Sequence, residues 1–308
     1  MVLFNPFTKM MTKSTLLALA CIIFALWGCG AGKASKTPMQ EAEVNFGAEK
    51  NAIAGLRASL ASNQKARDRQ GELAVLISLG KALTSSGEYK EAQDELARAI
   101  KLAGKLKDSK GLADSYGTLA EARLKAGNPE AALESIDRAV EIDSKLGYPS
   151  QARLNLKGLI LLKSGRPAEA IDALKSASGA AGGDTELLSD NMRLSGIASR
   201  QTGSDALWYF SEAYRLDREL GRTGKVAFDL EQLAELNFES GRYDEALFLF
   251  ERSYSAYMEA GATDMAIRGL DRLIEAAKGL GRYEKALYYS GIREDLLRNR
   301  KTVSGEKR

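Results

Sequence analysis

One short string recurs six times along this chain, and that internal repeat constrains the fold more than any other feature. It reads Ser86-Gly87-Glu88-Tyr89-Lys90-Glu91-Ala92, Ala126-Gly127-Asn128-Pro129-Glu130-Ala131-Ala132 and Ser164-Gly165-Arg166-Pro167-Ala168-Glu169-Ala170. It continues as a shortened Thr202-Gly203-Ser204-Asp205-Ala206, then Ser240-Gly241-Arg242-Tyr243-Asp244-Glu245-Ala246 and Leu280-Gly281-Arg282-Tyr283-Glu284-Lys285-Ala286. The alanines step by 40, 38, 36, 40 and 40 residues. Self-similarity at such a period is the signature of units that cannot bury their apolar faces alone and must stack.

The physics of the string is that of a helix–turn–helix. Glycine closes the first helix, where a left-handed residue is wanted, and a short polar turn starts the second. The alanine is small because helices crossing there must approach to about 8–10 Å. Upstream, Gly80, Ala120, Gly158, Gly196 and Ala234 supply small residues at the matching contact, each preceded four positions earlier by Leu76, Tyr116, Leu154, Met192 or Leu230. Apolar side chains follow the alanines at helical spacing, among them Leu96, Ile136, Leu174, Phe210 and Phe250. Forty residues before Ala92 lies Ala52, inside Asn51-Ala52-Ile53-Ala54-Gly55-Leu56, which reads as the second helix of a degenerate first unit.

The pattern resembles the tetratricopeptide repeat family over residues 39–297. The resemblance implies an all-α fold, a right-handed superhelical solenoid of about six to seven helix-turn-helix units. The family's usual period is shorter than this one, so each helical pair is expected to be about a turn longer. In the last unit Ser290 and Arg293 replace small apolar residues, as a polar capping helix requires, and a basic tail is expected over 298–308. Gly179-Ala180-Ala181-Gly182-Gly183-Asp184 is expected to break the stack between units.

Residues 1–28 read as an export signal, to be set aside before fold reasoning. Lys9 and Lys13 give a basic start, and Leu16 to Trp27 runs almost entirely apolar. That stretch is short of the roughly 20 residues a membrane-spanning helix needs. It ends at Leu26-Trp27-Gly28-Cys29, which resembles the bacterial lipobox, although Trp27 is bulky for its place. A plain N-terminal anchor or a buried helix would fit the same stretch. The resemblance implies that Cys29 is lipidated and becomes the mature N-terminus, with residues 29–38 as a flexible tether. Gly30 stands where family proteins retained at the inner membrane often carry Asp, which points to the outer membrane, facing the periplasm.

Composition closes several other routes. There is no histidine, and the two cysteines, Cys21 and Cys29, both lie in the first thirty residues. The body of the chain therefore lacks the commonest general base, the commonest metal ligand and any disulfide. No phosphate-binding glycine loop is present, so neither an enzyme nor a cofactor or metal site is expected. With 44 Lys and Arg against 41 Asp and Glu, the charge gives no reason to propose nucleic acid.

Two surfaces are candidates for a protein partner. The family's usual binding surface is a groove lined by the first helices. By register it would gather Asn155, Lys163, Arg193 and Arg200 as a donor-rich patch, turning acidic at Glu231 and Glu235. An ordinary solvated face fits those residues equally well. The second surface follows from the position two residues after the turn alanine. The early units carry Asp94, Glu134 and Asp172 there, whereas the last three carry Trp208, Phe248 and Tyr288. Of the 18 aromatic residues after Cys29, 14 lie between residues 205 and 290, so the bias belongs to one half of the chain. If these rings point outward they form an aromatic stripe on the convex face. If the longer helices shift the packing, they are buried between units.

The expected function is a membrane-anchored scaffold in the assembly of a cell-envelope complex, with homo-oligomerisation open. Capture of a peptide or polymer in the groove is the alternative. Replacing Cys29→Ala is expected to move the protein from the membrane fraction to the soluble fraction; retention in membranes at the unaltered level would refute lipidation at this residue.

Overall fold

The computed structural model describes residues 38–148, 150–180 and 184–303. Residues 1–37, on which the expected export signal, the expected lipidation at Cys29 and the expected tether fall, lie outside the described residues, as do residues 304–308. The chain divides into two compact units, Met1–Asn51 and Ala52–Arg308. The described part of the first, residues 38–51, is helical.

Thirteen helices and no strand occur among the described residues. They are α1 (Pro38–Ala66), α2 (Arg69–Ser85), α3 (Tyr89–Leu106), α4 (Ser109–Lys125), α5 (Pro129–Leu146), α6 (Gln151–Lys163) and α7 (Pro167–Gly179). There follow α8 (Thr185–Gln201), α9 (Leu207–Glu219), α10 (Thr223–Glu239), α11 (Tyr243–Glu259), α12 (Thr263–Gly279) and α13 (Tyr283–Val303). From α2 onward they form six pairs, in which each helix packs on the next and each pair on its neighbour. The fold from Ala52 onward is thus an all-α helical-repeat solenoid. No described helix is long and apolar enough to cross a membrane.

Local chemistry sets the helix ends. Asp68, Asp108, Ser150 and Asp184 cap first helices by accepting a hydrogen bond from the amide three residues on, at 2.9, 2.8, 3.4 and 3.0 Å. Second helices α5 and α7 open on Pro129 and Pro167, whose missing N–H falls where no intrahelical partner exists. Between pairs, the chain turns through a left-handed residue. Gly147 fills that position with φ of 72°, but Lys107, forty residues earlier, adopts φ of 55° with a side chain attached.

The crossing of three of the six pairs depends on a size mismatch. A Cβ placed on Gly80 would lie 2.5 Å from Cγ of Leu96, and one on Gly158 would lie 2.6 Å from Cγ of Leu174. At Gly196 the obstacle is the Phe210 ring, at 2.9 Å. Leu96, Leu174 and Phe210 are all fully buried, so none can swing away into solvent. The turn alanines Ala92, Ala132, Ala170, Ala206 and Ala246 are fully buried as well.

Three details refine the sequence reading. The segment read as the second helix of a degenerate first unit is α1, which runs unbroken from Pro38 to Ala66 and packs Ile53 and Leu60 on the α2–α3 core. The last helix does not stop at residue 297 but continues to Val303, held in part by Arg300 pairing with Asp264 at 3.0 Å. The shortened turn at Thr202–Ala206 costs α9 its first turn. Ala206 caps that helix, whereas Ala92, Ala132 and Ala246 lie three residues inside theirs.

Substituting Gly80→Ala or Gly196→Ala inserts a methyl group where no space exists. Each change is expected to lower stability by about 1–3 kcal/mol in urea unfolding. A change below about 0.5 kcal/mol, the usual range for exposed sites, would show that the crossing is not tightly packed.

Candidate interaction surfaces

The second helices decide where the aromatic residues go. In α9 the inward side chain is Phe210, and in α11 it is Phe250, both buried. Successive residues of a helix are rotated by about 100°, so the residue two places earlier points about 200° away from the core. Trp208, Phe248 and Tyr288 occupy that position, and they are 57%, 59% and 65% exposed. All three rings of the register therefore face solvent. Each is braced at its base. Trp208 meets Tyr209 edge-on at 5.1 Å, and Tyr288 meets Tyr289 likewise at 5.1 Å. Arg252 lies over Phe248 and over Tyr214 of the preceding second helix, each at 5.5 Å, and donates to the Tyr214 hydroxyl at 2.5 Å. Tyr289 donates to Glu251 at 2.8 Å, tying α13 to α11. The same register in the earlier repeats carries exposed Asp94, Glu134 and Asp172. This face is acidic in its first half and aromatic in its second.

The first-helix face is organised differently, because its polar groups bind one another. Asn155 is buried. It donates to the carbonyl of Leu187 at 2.9 Å and accepts from Asn191 at 2.7 Å, and Asn191 also donates to the Leu174 carbonyl and accepts from Ser178. Arg193 is enclosed by three carboxylates: Asp190 at 2.8 Å, Asp229 at 2.9 Å, and the fully buried Asp217. Arg222 and Lys225 reach back to Asp190 at 2.8 and 2.6 Å, and Arg222 also approaches Asp217 at 3.3 Å. Arg200 donates to Gln232 at 3.0 Å and pairs with Glu239. Glu235 receives both arms of Arg272, at 2.7 and 2.5 Å. Glu231 accepts from the Tyr257 hydroxyl at 2.8 Å.

Of the four expected donors, only Lys163 is exposed and without a partner among the described residues. Asn155, Arg193 and Arg200 instead spend their donors on partners within the chain. Sequence reasoning missed the residues that engage them, above all Asp217, Asp229 and Asn191. One signal was available. Asp217 stands four residues before Gly221, and Asp143 stands four residues before Gly147, where it pairs with Arg153 at 2.5 Å. Arg153 continues across α4 to Asp114 at 2.8 Å, and it passes so close to Gly117 that a Cβ there would lie 3.2 Å from its stem.

Burial raises two carboxyls on this face. The Asp229 carboxyl is pushed up to about 6 because it is desolvated, with Arg193 and Arg222 opposing that shift and Asp190 adding to it. Glu231 is also raised by burial, despite the bond from Tyr257.

Residues 71–145 and 117–185 match two tetratricopeptide repeat family models. Tetratricopeptide repeats are thus shown within residues 71–185, and the solenoid as a whole is of that type of helical repeat. Similar solved structures include that of pilF from Pseudomonas aeruginosa, 24% identical with a TM-score of 0.58, over 74% of this chain and 93% of that one. Another is PilW, a widely conserved type IV pilus biogenesis factor, 21% identical with a TM-score of 0.55, over 71% of this chain and 90% of that one. At these identities the likeness is one of fold. No curated protein matches the sequence.

A carboxyl whose folded pKa lies above its unfolded value favours folding at low pH and loses that contribution as pH rises through the folded value. Between pH 4 and pH 7, the wild-type chain is therefore expected to lose stability relative to Asp229→Asn, measured by denaturant unfolding at both pH values. A gap between the two proteins that stays constant, or moves in favour of wild type, would mean that Asp229 is held ionised by Arg193.

Proposed function

We propose that this protein is a lipid-anchored tetratricopeptide scaffold of the bacterial cell envelope that recruits a protein partner through the second-helix face of its last three repeats. The observation that carries the reading is the solvent exposure of Trp208, Phe248 and Tyr288 at one register position in successive repeats. Exposed aromatic residues in a periodic row are the type of side chain on which protein interfaces concentrate their binding energy. The first-helix face between α8 and α12 is a weaker candidate, because Arg193, Arg200, Glu231 and Glu235 already have partners within the chain.

The anchor belongs to this proposal through the lipobox-like Leu26-Trp27-Gly28-Cys29. Attachment at Cys29 confines the repeats to a membrane surface, which raises the local concentration of any partner in that membrane. Assembly of an envelope machine is the proposed role, and a pilus biogenesis factor among the structural neighbours is consistent with it. Peptide capture on the first-helix face is a second reading, favoured by one cleft. Between α2 and α4 an open cleft of about 290 Å³ is lined by Leu73, Ala74, Ile77, Lys110 and Asp114.

The combined variant Trp208→Ser, Phe248→Ser and Tyr288→Ser separates a binding role from a structural one. It is expected to unfold within about 0.5 kcal/mol per site of wild type, since the rings are exposed. It is also expected to lose co-purification of the partner that wild type brings down from solubilised membranes. Unchanged co-purification would refute the stripe as the docking surface.

A further inference from the structure

The terminal helix α13 exposes a face that the preceding repeat buries. In α11, Leu247 is only 1% exposed because α12 lies over it, with Leu273 and Ala277 in the same apolar cluster. Tyr243, one turn earlier, is half-buried, and its ring lies 3.5 Å from where a Cβ on Gly279, at the end of α12, would sit. Forty residues later the same two types recur as Leu287 and Tyr283, and no described element covers them: Leu287 is 73% exposed and Tyr283 66%. Along the same stripe, Gly291 has open space where a side chain would be, which lets a helix backbone approach closely. This side of α13 is shaped as α11 is shaped toward α12.

Its charges select what can fill it. Arg298 continues the stripe but pairs with Asp295 at 3.7 Å, whereas Glu284 and Glu294 flank Leu287 and Gly291 at steps of three, four and three residues on that stripe. Both glutamates are exposed, and neither has a hydrogen bond or ion pair among the described residues. A second copy pairing through this same face about a twofold axis would bring these acids against their own equivalents, which is unfavourable.

We infer that the outer face of α13 is a docking site for an amphipathic helix of another protein, one carrying Lys or Arg beside its apolar stripe. The helix extends the stack, seating on Leu287 and Tyr283 as α12 seats on Leu247 and Tyr243. The inference rests on the scaffold reading but concerns a different face from the Trp208–Phe248–Tyr288 row.

The test uses the full-length chain in detergent and two labelled peptides, with binding read by fluorescence anisotropy. One peptide has the α12 sequence, Thr263 to Gly279. The other has the same sequence with Asp264→Asn, Asp271→Asn and Glu275→Gln, which leaves its basic residues unopposed. Both peptides are expected to bind saturably, the basic one about threefold tighter. Leu287→Asp, at an exposed site that leaves the melting temperature unchanged, is expected to weaken both about tenfold. Glu294→Lys removes the preference for the basic peptide. Trp208→Ser leaves both affinities unaltered, so failure here is distinguishable from failure of the stripe. Absence of saturable binding, or binding indifferent to Leu287→Asp, overturns the proposal. A wild-type dimer that Leu287→Asp converts to monomer also overturns it, by showing that a second copy takes this face.

Discussion

In three of the six helix pairs, the packing of one large side chain against one missing side chain fixes how the second helix meets the first. Leu96 against Gly80, Leu174 against Gly158 and Phe210 against Gly196 each bring a second helix onto its first helix at a fixed height and rotation. Close-packed interiors do not tolerate a methylene too many at such a point, so the register is held firmly. Rotation then follows from helix geometry. With Phe210 and Phe250 turned inward, the residues two places earlier have no choice but to face out. The exposure of Trp208 and Phe248 is a consequence of the buried Phe210 and Phe250 beneath them, and Tyr288 keeps the same register.

The two faces of the repeats have been given opposite electrostatic treatment. On the first-helix side, long cations span from repeat to repeat, as Arg193 does to Asp229, Arg200 to Glu239 and Arg272 to Glu235. Charges buried as Asp217 and Asp229 are carry a desolvation cost, which is tolerable only because the guanidinium of Arg193 meets both. Groups so engaged are poor anchors for a ligand, because binding would first have to break their existing bonds. On the second-helix side the rings of the last three repeats are supported from below and left open above. Specific contact with a partner is available there without disturbing the solenoid.

The fold was largely legible in the sequence, because helix pairing needs little more than a repeated Gly–turn–Ala string and apolar residues at the right spacing. Ala92, Ala132, Leu96, Ile136 and Phe250 are all buried where the pattern put them. Boundaries were less legible. Nothing in the sequence from Pro38 to Ala66 marks α1 as one unbroken helix, and Arg300's partner Asp264, which helps to extend α13, lies on another helix. The surfaces were the hardest to read. The direction of Trp208 depends on which side chain is the knob, and the longer period left that open. Arg193 looked available because its partners Asp217 and Asp229 lie 24 and 36 residues away and converge only in the folded chain.

Cross-linking in living cells tests the central claim most directly. A photo-reactive residue replaces Phe248 in one version of the full chain and Arg200 in another. Docking on the second-helix face predicts one abundant envelope protein joined at position 248 and little or none joined at position 200. The same protein captured from position 200 alone would contradict the account and return the binding site to the first-helix face.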